Sequence, residues 1–427
     1  MNSLLTHARL STEQQFLLRI IGRTAPEDQE KEFGELAGQV DWRKFMEVAS
    51  VDLHPYLDYC FKTRLTGVKP PASVMQVLSR ARQVNAIMHL RRQKELFLIL
   101  AKLESKKIPV IALKGAALCQ FEYEDPTLRP MADLDLLVTR EMESAARSAL
   151  LEIGYQYPPR VAFVEIHLRP LQQPGSSILV ELKSSLPSCE PYELSLDQVW
   201  ARSVPVVLGG FPVRVMHHED FLIHYGLHFS SFDRFASGPL RLLDTLLHVE
   251  HYEKDWNWPD LAARCFKEGY ADWMFLTLKL TRDLLRAPIP DVFFDALTPP
   301  PRLRELEDLA LEQIWSKDHS GRFAGRLSAL ICALNAPSRI EGAKRFVNSV
   351  LLWARKDMKA PLTFRNINPE GGRRLLDHLK LRVPSYYRAW ARGELTKHKL
   401  NSARRVLKGK EQITEIMTYG KENKMKK

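Results

Sequence analysis

IALKGAALCQFEYEDPTLRPMADLDLLV, residues 111–138, is the stretch that decides how this chain folds. An apolar run, IPVIAL, ends in Lys114-Gly115. A short helical stretch, GAALCQF, comes next, and the loop EDPTLRPMA then leads into a second apolar run, DLDLLV. Short apolar runs bounded by glycine and proline predict buried strands, so the segment predicts strand, glycine turn, helix, loop, strand. Outward from it, TREMESAARSALLEIG predicts a helix with Thr139 as its cap candidate. The capping box there is incomplete, because Met142 takes the place of an acid three residues on. VAFVEIHL and SILVELKSSL predict two further strands, joined by RPLQQPGS as a hairpin or looser loop. The expected result is a small mixed sheet with helices packed on it, spanning residues 105–215.

On both sides of that core the periodicity is helical. Residues 73–103 carry apolar positions at three- and four-residue spacing with few breakers, and their arginines read as a solvated face. After LGGFPVRVMHHEDF the helical pattern returns and continues past a loop marked by Pro288, Pro290, Pro299 and Pro300. The expected class is α+β, a small mixed-sheet core flanked by N-terminal and C-terminal helical regions. The boundaries expected are 1–104, 105–215, 216–330 and 331–427, the last with a basic tail.

The chain has 427 residues, 45% of them apolar and 26% charged, as in ordinary globular proteins. Its net charge of +11 is local: from Gly371 onward 16 basic residues face 5 acidic ones, leaving 46 of each sign before it. A neutral body disfavours a long nucleic acid, which needs a positive track. The tail lacks the interleaved aromatics of a base-stacking platform. No signal-peptide stretch opens the chain and no window reaches 18 uninterrupted apolar residues, so a cytoplasmic protein without a membrane partner is expected. Five cysteines in no paired spacing fit a reducing compartment, each as a small buried hydrophobe.

The chemistry concentrates on acids. In a strand, side chains at i and i+2 share a face, so Asp133 and Asp135 point one way while Leu134 and Leu136 point into the apolar layer. Two such carboxylates repel unless both face water or a cation sits between them. A third acid, Glu181, falls in the middle of ILVELK, where edge solvation or a metal cluster would account for it. Three acids on adjacent strands can hold two divalent ions about 4 Å apart, and Mg2+ suits an all-oxygen set completed by substrate phosphates. Gly115 allows close backbone approach and opens a helix whose first N–H groups suit a phosphate.

The segment resembles the signature of the polymerase-beta-like nucleotidyltransferase superfamily, which includes kanamycin-type antibiotic nucleotidyltransferases. It is more similar still to an uncharacterised bacterial nucleotidyltransferase family that reads roughly LKG-A-A, R-P-M-G-D-x-D-L-L-V. Lys114-Gly115-Ala116-Ala117, Arg129-Pro130-Met131 and Asp133-x-Asp135-Leu136-Leu137-Val138 carry that likeness, which extends over about residues 95–280. It implies a nucleotidyltransferase core over 105–215 and a Mg2+-dependent enzyme, with Mn2+ as the alternative ion. It further implies transfer of a nucleoside monophosphate from a nucleoside triphosphate, ATP first, to a hydroxyl or phosphate acceptor. Asp133, Asp135 and Glu181 become the catalytic and metal-binding residues, and Lys114, Gly115, Ala116 and Arg129 the nucleotide-binding ones. Two departures stand out: Lys183 where many relatives have histidine, and Ala132 where glycine is usual.

The acceptor is expected to be a small molecule or a protein or peptide, ahead of a nucleic acid reached through the basic tail. The alternative class is a catalytically inactive binding or regulatory protein that keeps the fold. Arg129 either meets phosphate or pairs locally with Glu124 or Asp125. His224 and His228 share a helix face, for which core hydrogen bonding outranks zinc. Arg241 and Asp244 read as a local helical pair, and Trp256 and Trp258 as packing anchors at a helix start.

Overall fold

The computed structural model describes residues 10–23, 33–158, 170–186, 194–233, 235–300 and 303–316. Among the described residues six strands make one sheet: β1 (Ile111–Ala112), β2 (Asp133–Leu137), β3 (Leu171–Gln172), β4 (Leu179–Lys183), β5 (Val204–Leu208) and β6 (Phe211–Val215). Their order is β3-β4-β2-β1-β6-β5, with β2–β4 and β1–β6 parallel and the other neighbours antiparallel. The α+β class with a small mixed sheet between helical regions is therefore what the chain adopts.

Strand alternation sorts the residues of β2 and β4 onto two faces. Leu134 and Leu136 join Val180 and Leu182 in the apolar core. The Ala72–Ser105 helix covers that face with Leu96, Ile99, Leu100 and Leu103, and the Glu143–Glu152 helix adds Ala146, Ala149 and Leu150. Asp133, Asp135 and Glu181 occupy the opposite face. Further toward the N-terminus, Ser11 caps the Thr12–Ile21 helix with a complete capping box, and Phe16 meets Trp42, Phe45 and Phe61 in an aromatic cluster.

Several local expectations are corrected. The helix after β2 starts at Glu143 with Met142 at its cap, because the Thr139 carbonyl is used by the Met142 N–H (3.1 Å) in a preceding turn. β3 lies inside the expected loop RPLQQPGS and returns to β4 through a turn at Gly175, whose φ is +77°. The run from Trp258 to Leu285 is two helices, Trp258–Lys267 and Ala271–Leu285, parted where Gly269 takes φ +84°. The arginines of the long helix are not all solvated. Arg92 is buried, and Arg82 bridges Asp58 (3.5 Å) and Asp125 (3.2 Å).

Cys60, Cys119 and Cys265 are buried free thiols, while Cys189 and Cys332 lie outside the described residues. The strand expected at 161–168, the boundary at 331 and the basic tail also lie outside them. Among the described residues no helix is long and apolar enough to cross a membrane.

The β5–β6 hairpin turns on Gly209 and Gly210, with φ of +58° and +87°. Two successive positive φ angles define the type I′ turn that matches strand twist. Open space surrounds Gly210, but a Cβ on Gly209 would lie 2.4 Å from the Phe97 ring. Gly210→Ala is expected to lose about 1–2 kcal/mol, the cost of a left-handed alanine. Gly209→Ala is expected to lose more, because Phe97 must also shift. Urea denaturation of both variants checks the order.

Candidate functional site

The parallel register of β2 and β4 places Asp135 directly beside Glu181, and Asp133 lies two residues along on the same face. One ligand oxygen from each of the three carboxylates lies within 4.8 Å of the others. Three like charges at that spacing destabilise the sheet unless cations offset them. The chain supplies two of its own. Lys183, two residues beyond Glu181 and so on its face, places Nζ 2.8 Å from Asp135 Oδ1 and 2.9 Å from Glu181 Oε2. Lys114 places Nζ 3.5 Å from Asp135 Oδ2. Asp133 has no ion pair among the described residues.

The protonation equilibria follow that arrangement. Burial works against an ionised Asp135, yet the Lys114 and Lys183 ammonium groups outweigh it and hold the carboxyl well below its ordinary range. For Asp133, burial and then the neighbouring Asp135 charge push the carboxyl up to about 6. Burial would lower Lys183, but Asp135 and Glu181 more than compensate and raise it. Lys114 is lowered, because burial outweighs its attraction to Asp135. Asp133 is thus the carboxylate whose negative charge the chain compensates least.

Lys114 reaches Asp135 from the turn between β1 and the Gly115–Phe121 helix. Its backbone sits at φ +44° and ψ −123°, a region that side chains rarely enter and that costs about 1–3 kcal/mol. Such strain concentrates where a side chain must be aimed, and here it aims an ammonium at the carboxylates. The same Nζ lies 3.3 Å from His228 Nε2, and His228 Nδ1 lies 3.4 Å from Asp233. Burial and Lys114 hold the His228 imidazole down to about 4 and therefore neutral at physiological pH. His228 opens a π turn, His228–Phe232, that follows the His218–Leu227 helix, and π segments are frequent at functional sites. His224, four residues back, is also buried, with burial holding its imidazole well below the ordinary value.

The other nucleotide-binding candidates have more structural company than expected. Ala116 belongs to the apolar core, and its N–H goes to the Leu113 carbonyl at 3.1 Å. A Cβ on Gly115 would lie 2.5 Å from Arg129 Nη1 and 2.8 Å from Met131, so glycine is required there by side chains behind the turn. Arg129 pairs with neither Glu124 nor Asp125, which are taken by Arg64 (2.5 Å) and Arg82 (3.2 Å). It is buried and forks onto Asp244, Nε to Oδ1 at 2.8 Å and Nη2 to Oδ2 at 2.9 Å. Tyr123 Oη donates to Asp244 at 2.6 Å, and Tyr225 Oη also donates to it. Arg241 reaches Tyr225 Oη at 2.5 Å, so it joins Asp244 through the phenol instead of as a simple local pair. Trp256 and Trp258 stack at 5.0 Å beside the start of the Trp258–Lys267 helix, with Trp256 Nε1 donating to the Val249 carbonyl.

Residue reasoning missed two basic groups. Lys183 departs from the family pattern, and its i+2 spacing from Glu181 puts the two on one face, but spacing alone does not show that it partners both acids. Arg92 is buried with Nε and Nη1 unpartnered among the described residues, and the Asp133 charge partly offsets its burial. Nothing in the helical periodicity distinguishes it from its solvated neighbours.

A family model described as "Uncharacterised nucleotidyltransferase" matches residues 38–286. A solved structure, the solution structure of the antibiotic-resistance factor ANT(2'')-Ia, is similar at 16% identity. The likeness covers 45% of this chain and 92% of that chain, with a TM-score of 0.29. No curated protein matches the chain.

Asp244→Ala strands the Arg129 charge in a buried position. Removing one partner of a buried pair typically costs about 3–5 kcal/mol. A loss of that size in chemical denaturation is expected, and a change below about 1 kcal/mol would contradict the Arg129–Asp244 assignment.

Proposed function

The chain belongs to the uncharacterised nucleotidyltransferase family, within the polymerase-beta-like superfamily, and from that premise we propose that it transfers a nucleoside monophosphate from a nucleoside triphosphate, ATP first, to a hydroxyl or phosphate acceptor. The observation that carries this reading is the convergence of Asp133, Asp135 and Glu181 on one face of two paired strands. An all-oxygen donor set of this kind fits Mg2+, and Mn2+ in its place. When bound by these carboxylates, the ion would supply charge neutralisation at the phosphates and acidify the attacking hydroxyl.

The chain's own residues account for the rest. Half-buried Asp133 and buried Asp135 form the cation-holding side of the site. Glu181, a quarter exposed and on the neighbouring strand, is within reach of an incoming acceptor and is the place where the acceptor proton is first held. The acceptor oxygen forms a bond to the α-phosphorus as the bond to the bridging oxygen breaks, and pyrophosphate leaves with that electron pair. Lys114 and the Gly115–Ala116 turn lie on the phosphate side. Arg129, committed to Asp244, holds the loop that delivers Asp133. The balanced charge of the first 370 residues favours a small molecule or a protein or peptide as acceptor over a nucleic acid.

Asp133→Asn and Asp135→Asn each keep the side-chain volume and remove a charge. Each is expected to lower pyrophosphate release from ATP by at least about a hundredfold, the scale of losing one electrostatic element of such a site. Undiminished turnover in a folded variant would overturn the assignment.

A further inference from the structure

Lys183 is placed in a way that the proposed reaction leaves unexplained. Its ammonium is 2.8 Å from Asp135 Oδ1 and 2.9 Å from Glu181 Oε2, and the side chain is only 4% exposed. These are the facing oxygens of the two acids that stand side by side in the β2–β4 register. A divalent ion bridging the same two oxygens, at about 2.0–2.1 Å from each, would have to occupy the space where Nζ sits. Resting on the reading of the three carboxylates as a metal centre, we propose that Lys183 is a built-in cation in place of a second divalent ion. The centre then binds a single ion, on Asp133 and Asp135, while Glu181 is held by the lysine.

Charge and position both favour this division. The three carboxylates and the ammonium groups of Lys114 and Lys183 together carry one net negative charge. One divalent ion turns that into one net positive charge, the same that two ions would give to three carboxylates alone. Two ions added to both lysines would concentrate three net positive charges in a largely buried pocket, at a high electrostatic cost. The carboxylates are also served unequally. Asp135 and Glu181 each have an ammonium within 3 Å, whereas Asp133 has none among the described residues. The remaining place for a cation is at Asp133, shared with Asp135.

The substitution of lysine for an ion has a chemical consequence. An ammonium on Glu181 does not exchange with solvent ions and cannot draw in an acceptor oxygen as a fourth ligand. It can donate its remaining N–H to that oxygen, and it holds the Glu181 carboxylate in place beside the acceptor.

The test counts Mn2+ bound to the full chain without nucleotide, by electron paramagnetic resonance of the free ion and by calorimetry. Wild type is expected to bind a single Mn2+ per chain, Asp133→Asn none, and Glu181→Gln still a single ion with affinity changed by less than about threefold. Lys183→Met is expected to admit a second Mn2+, and Lys183→Arg, which keeps the charge, is not. Circular dichroism in chelator verifies that each variant is folded, and the wild-type and Glu181→Gln counts decide the matter should Lys183→Met not fold. Two ions on wild type, loss of the ion in Glu181→Gln, or a single ion on folded Lys183→Met would overturn the role of Lys183 while leaving the metal centre intact. No ion on wild type would overturn the metal centre itself, and the proposal with it.

Discussion

Asp135 and Glu181 stand side by side because β2 and β4 pair in parallel at that register. Two buried or half-buried carboxylates at neighbouring sheet positions repel, so the fold is stable only with positive charge between or beside them. Lys183 follows from β4 itself and Lys114 from a strained turn next to β1. The opposite face of the same strands is entirely apolar and is closed by the Ala72–Ser105 and Glu143–Glu152 helices. The apolar face fixes the register, and the register assembles the acids. Loss of packing behind β2 would therefore scatter the site even with every acid intact.

A second buried ionic arrangement ties the loop before β2 to the helices that follow the sheet. Arg129 reaches Asp244 across 115 residues of sequence, with Tyr123 and Tyr225 completing the acceptor capacity of the carboxylate. A buried ion pair of this kind offsets its own desolvation at best, so its value is in orientation. Both guanidinium edges have defined partners, and Gly115 is small enough to let the guanidinium pass close to the turn. The position of the loop carrying Arg129, Pro130 and Met131 is thereby set relative to both the glycine turn and Asp133.

Much of the core was legible in the sequence, and the physics explains which part. Period-two alternation assigned Asp133 and Asp135 to one face and Leu134 and Leu136 to the other, because a pleated strand leaves no alternative. Period-three-to-four spacing located the long helix to within two residues at each end. Periodicity reports faces, however, and not partners. It could not match Arg129 with Asp244, identify Arg92 as the buried arginine among solvated ones, or find that Gly115 is small for the sake of Arg129 and Met131. The strain at Lys114 was equally hidden, since lysine carries no signal for positive φ. The Gly209-Gly210 dipeptide, by contrast, carries a hairpin signal in the sequence itself, and both glycines take positive φ.

The central claim is that the acids on β2 and β4 form a cation-binding centre for nucleotide phosphates. A crystal structure of the protein soaked with Mn2+ and a non-hydrolysable ATP analogue tests it most directly, because anomalous scattering locates the ion independently of any assumed chemistry. The account predicts an anomalous peak coordinated by Asp133 and Asp135, with the analogue's phosphates completing its shell on the Lys114 side. An analogue bound elsewhere, or no anomalous density at these carboxylates, would contradict it.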